Sequence, residues 1–136
     1  MPDLAIKVVV AGVLAAHGIG HTIGWMPAVG IGRIAGATDD SWILTGLAGD
    51  QAARVAAAAL FLIPTVGFVA AAAGLMLGQP WWRPVAAGSA AVSLVAIGVF
   101  PHALPTGALA GAVAVDVATL VLLIVAGWPS AAVVGA

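Results

Sequence analysis

The sequence contains no cysteine and very little charge, since four basic and five acidic residues supply all of its formal charge over 136 positions. Without cysteine there are no disulfides, thiolate metal sites, iron–sulfur clusters or cysteine nucleophiles. Charged residues make up 7% of the chain, against roughly 25% in a soluble domain. The net charge of -1 excludes the basic surface of a nucleic-acid-binding protein and a polybasic lipid-binding patch.

What is abundant is apolar, because 63% of the residues are hydrophobic and the mean hydropathy is +1.20. The tryptophans stand at the edges of long uncharged runs and are missing from their middles. Tryptophan favours the membrane–water boundary because its ring is apolar and its N–H needs a polar partner. The sequence therefore predicts an integral membrane protein embedded in a lipid bilayer. The five boundary residues are Trp25, Trp42, Trp81, Trp82 and Trp128.

Four uncharged runs predict four membrane spans, at about residues 4–24, 51–77, 84–100 and 106–127. Each is close to the ~20 residues that cross the hydrocarbon core. Proline-containing turns separate the later spans, so successive helices should be antiparallel neighbours. We therefore predict an all-α, up-down-up-down four-helix bundle in a single domain covering residues 1–136.

The connection at residues 25–50 is the one long loop between spans, and long loops are often functional. Acidic residues before an apolar run predict a short interfacial helix near Ser41–Ala48, capped by those acidic side chains. The first apolar run continues to Trp25 without a convincing cleavage site, which favours a retained span over a signal peptide. Two basic residues fall on each side of the membrane, and we predict cytoplasmic termini in a bacterial cytoplasmic membrane because Arg54 should be drawn into the bundle.

The ionisable residues within or beside the spans gather in the half of the bilayer next to this loop. His17 and His21 are four residues apart, so they share one helix face. Asp116 lies in the middle of span 4, where an unpaired charge is costly and usually marks a functional site. The predicted ligand-binding residues are His17, His21, Asp50, Arg54, His102 and Asp116.

Three interpretations of this group remain open. In the first, His17, His21 and His102 bind a divalent metal, or a haem is held between facing histidines. In the second, His17, His21 or Asp116 performs acid–base catalysis on a lipophilic ligand. In the third, the protein is a non-catalytic accessory or scaffold subunit of a membrane complex, and these residues only join helices.

Small residues four apart form two further patterns, one made by Ala16, Gly20 and Gly24 and one by Gly107 and Gly111. Such patterns are typical of close helix packing or dimerisation in membranes. They leave open a homo-oligomer or a partner within a membrane complex.

The segment from His17 to Trp25, HGIGHTIGW, resembles small bacterial four-span membrane proteins that carry an HGxxH element at the end of the first span. The Trp81–Trp82 turn and the polar turn at residues 101–107 are similar in position. The overall layout resembles that of DoxX-type membrane proteins. This resemblance implies a four-span fold and draws attention to His17 and His21, but it implies no catalytic residues.

Overall fold

The computed structural model describes residues 2–134, which are mostly helical and contain no β-strand. Four helical stretches are long and apolar enough to cross a membrane, at residues 3–29, 50–76, 82–99 and 106–125. The all-α four-helix architecture predicted from the sequence is thereby confirmed. The helices are α1 Pro2–Gly20, α2 Thr22–Trp25, α3 Leu44–Ala48, α4 Asp50–Met76, α5 Trp82–Val99, α6 Thr106–Leu120 and α7 Ala131–Val134, with a π-helical segment at Val121–Val125 after α6.

The first span is made of two helices that meet at His21. Around this residue the backbone bonds are of the tighter i to i−3 kind: His21 N–H donates to Gly18 O, and Gly24 N–H donates to His21 O. A local 3₁₀-like turn inside a helical span often marks a functional position. His21 therefore lies at the break between α1 and α2, ahead of the 3₁₀ turn at Pro27–Val29 with which the span ends.

Helix α4 forms the centre of the packing, with α1 on one side and α5 on the other. Gly18 lets α1 approach α4, because a Cβ at this position would lie 2.9 Å from Phe68 Cβ and 2.9 Å from Thr65 O. Gly24 does the same against the ring of Phe61. These two glycines fix the face that the first span presents to the rest of the bundle.

The long loop is held against the end of α5, whose last carbonyls have no partner within the helix. The expected short helix is present as α3. Three bonds dock the loop: Thr38 N–H to His102 O at 2.8 Å, Ser41 Oγ–H to Val99 O at 2.8 Å, and Trp42 Nε1–H to Gly98 O at 2.8 Å.

The start of α3 corrects the predicted cap. The Ser41 hydroxyl accepts the N–H groups of Ile43 and Leu44, at 3.3 and 3.0 Å. Asp40 instead pairs with the Thr38 hydroxyl in the preceding turn. The N-cap position itself, Ile43, has no side-chain cap. The buried Ser41 bonds the N–H groups at the start of α3 and also donates to α5, which the exposed carboxylate does not.

Helices α1 and α6 are neighbours in the bundle, but they make few contacts with each other along their length. The wall between them is thin where small residues face each other: Ala16 and Gly20 on α1, Ala108 and Ala112 on α6. We call this loosely packed boundary between the two helices the α1/α6 seam. His17 and His21 lie along it.

The alternation of helix direction predicts that the end of the chain and the long loop lie on opposite sides of the membrane. A topology reporter fused after residue 136 and one inserted at Thr38 should report opposite sides in intact cells. Reporters on the same side would contradict the four-span topology.

Close packing of α1 on α4 predicts that Gly18→Ala destabilises the protein although alanine favours helices. The added methyl group meets backbone and Cβ atoms, and overpacking of this kind costs about 1–3 kcal/mol. Gly20→Ala is the matched control, because nothing lies within 4 Å of a Cβ there. Thermal unfolding in detergent should show a lower Tm for Gly18→Ala alone; equal Tm values would refute the close approach.

Candidate functional site

Four polar side chains from three of the spanning helices meet inside the bundle. His17 comes from the last turn of α1 and His21 from the irregular turn that follows it. Ser93 is supplied by α5 and Asp116 by α6. His21, Ser93 and Asp116 are buried, and His17 is nearly so. We call these four residues the polar cluster.

The carboxylate of Asp116 connects the three helices. Its Oδ1 lies 2.7 Å from His17 Nε2, and its Oδ2 accepts the Ser93 hydroxyl at 2.5 Å. The Ser93 oxygen is also 3.1 Å from His21 Nε2. The two histidine Nε2 atoms lie 3.3 Å apart. Both imidazoles therefore direct the same ring nitrogen towards a single point beside the carboxylate.

The arrangement of protons follows from these distances. With Asp116 as a carboxylate, which can only accept, the bond to Oδ1 requires the His17 proton to be on Nε2. The Ser93 proton is used on Asp116, so its oxygen is free to accept from His21 Nε2. This assignment places both imidazole protons on the inner side of the cluster. The two Nε2 atoms, 3.3 Å apart, are then both donors, so their contact is a close approach and not a hydrogen bond.

One buried nitrogen of the cluster has no partner among the described residues. His21 Nδ1 is buried and bonds to nothing among the described residues. Its surroundings are aromatic: Phe68 stacks on the His21 ring at a centroid distance of 6.1 Å and meets the His17 ring edge-on at 4.7 Å. These apolar rings lower the local dielectric constant and strengthen every polar interaction inside.

The cluster adjoins a small cavity on the α1/α6 seam. This cavity has a volume of about 150 Å³ and is lined by both histidines, by small residues of α1 and α6, and by Ile23 and Leu104. A cavity of this size holds a few waters or a small polar group. It is too small for a drug-sized ligand, for which pockets run from roughly 300 Å³ upwards. The histidines are therefore accessible to a small group arriving along the seam.

The other predicted site residues lie outside the cluster. His102 is exposed in the turn after α5, and its carbonyl receives the Thr38 N–H. Asp50 is exposed in the first turn of α4. Arg54 is 3.9 Å from Asp39 and lines a larger cavity of about 1000 Å³ beneath the long loop. The sequence placed these residues at the correct end of the bundle, but they sit at the surface, whereas the histidine pair faces inward.

This placement changes the expected ligand set. Of the predicted metal ligands, the structure brings His17 and His21 together with Asp116, so that one possible ligand atom from each lies within 4.8 Å of the others, and it leaves His102 in the surface turn. A haem between facing histidines has no such pair, because His17 and His21 belong to one span and His102 lies in the surface turn. His17 and His21 are four residues apart in one span, so both side chains lie on the same face and cannot bind opposite sides of a planar haem.

Ser93 is the site residue that sequence reasoning missed. Its position in the middle of span 3 was visible, and its depth matches that of Asp116. However, serine in a membrane helix often bonds to its own preceding turn, as Ser89 does to Val85 O at 2.8 Å. Ser93 instead reaches across to α6, and only the packing of the helices reveals this.

Two of the cluster distances can be compared with those of a metal site. Two ligands of a tetrahedral zinc ion, each at about 2.0–2.1 Å from the metal, lie about 3.3 Å apart, and the two Nε2 atoms have this separation. The distance of 2.7 Å between His17 Nε2 and Asp116 Oδ1 is shorter and is that of a hydrogen bond. An ion bound by both atoms would require the carboxylate to move outward.

Comparisons with known proteins return no relative. No protein-family model matches the chain, and no curated protein or solved structure is significantly similar to it. The case for function therefore depends on the geometry of the polar cluster.

The cluster predicts that Ser93→Ala destabilises the protein more than Ser89→Ala. Removal of the Ser93 hydroxyl leaves a buried carboxylate oxygen without its donor, which costs about 1–3 kcal/mol. Ser89 is the matched control because its hydroxyl bonds only to the backbone of its own helix. Denaturant or thermal unfolding of both variants in the same detergent would measure the difference, and equal losses would contradict the bond across to α6.

Proposed function

We propose that this chain is a small integral membrane protein that binds a divalent transition metal ion, of the type of zinc, within its four-helix bundle. The ligands are His17 Nε2, His21 Nε2 and Asp116 Oδ1. The observation that carries the proposal is the convergence of two imidazole nitrogens, 3.3 Å apart, on one buried carboxylate. Imidazole and carboxylate are the ligand types that zinc accepts when cysteine is absent.

Three protein ligands leave one coordination position open, which is the arrangement of catalytic rather than structural zinc sites. The cavity on the α1/α6 seam supplies room for a water molecule or a ligand atom at this position. A metal-bound water at such a site supplies a base near neutral pH or can be displaced by an oxygen of a lipophilic ligand. The proposal thus includes acid–base chemistry on a molecule that arrives from the membrane.

Ser93 and the phenylalanines support the ligands in this proposal. Ser93 occupies Oδ2 of Asp116 and leaves Oδ1 directed at the histidines. Outer residues that orient a metal ligand in this way commonly change metal affinity by 10–100-fold. Phe68 contacts both imidazole rings and restricts their rotation.

The second candidate function is an accessory or scaffold subunit in which the polar cluster only joins helices. Two observations favour it. The inner polar atoms already pair with one another. A metal-bound His21 would carry a proton on Nδ1, and metal-binding histidines almost always donate this proton to an acceptor. No protein atom among residues 3–134 accepts it, so a water in the site must do so if metal binds.

The proposal also includes a bacterial cytoplasmic membrane with both termini on the cytoplasmic side. The four spans support a multi-pass membrane protein. The two faces of the bundle each carry two basic residues, and Arg54, which was expected to be drawn into the bundle, is half-exposed beside Asp39. The basic residues therefore do not set the direction, and the cytoplasmic termini belong to the proposal alone. The long loop, and the end of the bundle where the histidines lie, then face the outside.

Metal analysis tests the two candidates against each other. Protein purified without a polyhistidine tag and supplied with zinc should retain about one ion per chain after removal of free metal. His21→Asn and Asp116→Asn should each lose it, because neither asparagine replaces an imidazole nitrogen or a negative charge. His102→Asn is the matched control and should keep the ion, since His102 is exposed outside the cluster.

Thermal unfolding of the same samples separates binding from folding. Asparagine at position 116 keeps hydrogen-bonding capacity, so we expect Asp116→Asn to fold. Bound zinc should raise the Tm of the wild type but not that of Asp116→Asn. Wild-type protein that holds no zinc and gains no stability from it would refute the metal site and leave the scaffold function.

A further inference from the structure

The larger cavity beneath the long loop, of about 1000 Å³, combines charged and apolar side chains in one wall. We call it the loop cavity. Pockets for small organic molecules have volumes of roughly 300–1,000 Å³, so the loop cavity has room for such a molecule. The charged residues that line it are Arg33, Asp39 and Arg54, and its larger apolar residues are Ile23, Pro27 and Ile34.

The loop cavity is separate from the polar cluster. Arg54 precedes Phe61 by seven residues on α4, which is roughly 10 Å along the helix, and the Phe61 ring lies 6.1 Å from the His21 ring. Ile23 lines both the loop cavity and the small cavity on the α1/α6 seam. This side chain therefore forms part of the wall between the two spaces.

Hydrogen-bond donors outnumber acceptors around the loop cavity. Arg54 Nε lies 3.9 Å from Asp39 Oδ2, which is too far for a hydrogen bond, so the guanidinium remains available to a ligand. Residues 32–35 also line the cavity, and their backbone N–H groups donate to no carbonyl within the described part of the chain. Among the lining side chains, only Asp39 and Thr38 carry acceptor oxygens. A ligand that brings acceptors of its own suits this site.

The charge of the wall matches a single negative charge. Two arginines (+2) and one aspartate (−1) line the cavity, which gives a net charge of +1. Asp40 and Asp50 also lie at this end of the bundle, but both are exposed and neither lines the cavity. Salt water screens such exposed charges over a distance of roughly 8–10 Å. One anionic group at the arginines is therefore compensated, whereas a second one meets Asp39.

We infer that the loop cavity binds a small organic monocarboxylate, with its carboxylate at Arg33 and Arg54 and its apolar body against Ile23, Pro27 and Ile34. A guanidinium suits a carboxylate because two of its N–H groups can donate in parallel to the two oxygens. The apolar part of the wall favours an organic anion over chloride or phosphate, since only the organic anion removes hydrocarbon from water when it binds.

This inference goes beyond the proposed function and does not rest on it. The monocarboxylate and the zinc ion occupy different spaces, so either can bind without the other. Failure of one leaves the other intact.

A ligand series that varies only in charge and apolar size tests the loop cavity. Titration calorimetry of the protein in phosphatidylcholine nanodiscs, with empty nanodiscs subtracted, should show saturable binding of about one β-naphthoate per chain. Neutral β-naphthamide should bind much less tightly because it lacks the charge. Acetate should do so because it lacks the apolar body. A naphthalenedicarboxylate with one carboxylate on each ring should also bind less tightly than β-naphthoate.

Variants of the lining residues locate the site. Arg33→Gln and Arg54→Gln should each weaken β-naphthoate binding about tenfold, the lower end of the effect of a charge-assisted hydrogen bond because Arg54 is half-exposed. Arg83→Gln, at the other end of the bundle, is the matched control and should change nothing. Asp39→Asn should strengthen binding several-fold and bring the dicarboxylate closer to β-naphthoate, because it removes the one negative charge of the wall. Equal Tm values would show that these variants fold.

Zinc analysis on the same samples keeps the two sites apart. Asp116→Asn should lose the ion and still bind β-naphthoate as tightly as the wild type. If Asp116→Asn abolishes β-naphthoate binding, the carboxylate binds at the polar cluster and this inference is overturned.

Three other results would also overturn the inference: no saturable binding of β-naphthoate, equal binding of β-naphthamide, or affinity that neither Arg33→Gln nor Arg54→Gln changes. Phosphatidylglycerol added to the nanodiscs should not displace β-naphthoate more effectively than free β-naphthoate does. If it does, the occupant is an anionic lipid and not a small carboxylate. Zinc bound without β-naphthoate would refute this inference alone, and β-naphthoate bound without zinc would refute the proposed metal site alone.

Discussion

The buried carboxylate of Asp116 is the group on which the interior of this bundle depends. It is completely excluded from solvent, and an isolated charge in such a place is very costly. His17 from α1 and Ser93 from α5 each bond one of its oxygens. Three helices are thereby held in register around one side chain. Loss of either partner leaves an unsatisfied buried group, so the polar cluster stabilises the fold whether or not it also binds a ligand.

Helix α1 packs tightly against α4 on one side of this carboxylate and loosely against α6 on the other. Gly18 brings α1 tightly onto α4, which directs the histidines into the bundle against Phe68. On the opposite flank, α1 and α6 meet through the His17–Asp116 bond and leave cavities on both sides of it. In the function proposed above, this open seam gives a molecule from the membrane access to the polar cluster.

Much of the fold is readable from the sequence because the bilayer sets both the length and the polarity of its helices. The uncharged runs and the boundary tryptophans predicted four spans within a few residues of those observed. The predicted site was less accurate. Depth in the membrane follows from counting residues, and it correctly grouped His17, His21 and Asp116. Whether a side chain faces inward depends on packing, so counting also admitted His102 and Arg54. Counting put Ser93 at the depth of Asp116, but it did not show that the Ser93 hydroxyl reaches α6 instead of its own helix.

The coordination of zinc in the loaded protein tests the central claim most directly. X-ray absorption at the zinc edge should show two imidazole nitrogens at about 2.0–2.1 Å together with oxygen ligands, as expected for a site of two histidines, a carboxylate and a water. One imidazole should disappear from the spectrum of His17→Asn wherever residual metal binds. A spectrum with only oxygen ligands, or one that His17→Asn leaves unchanged, would contradict a metal site in the polar cluster.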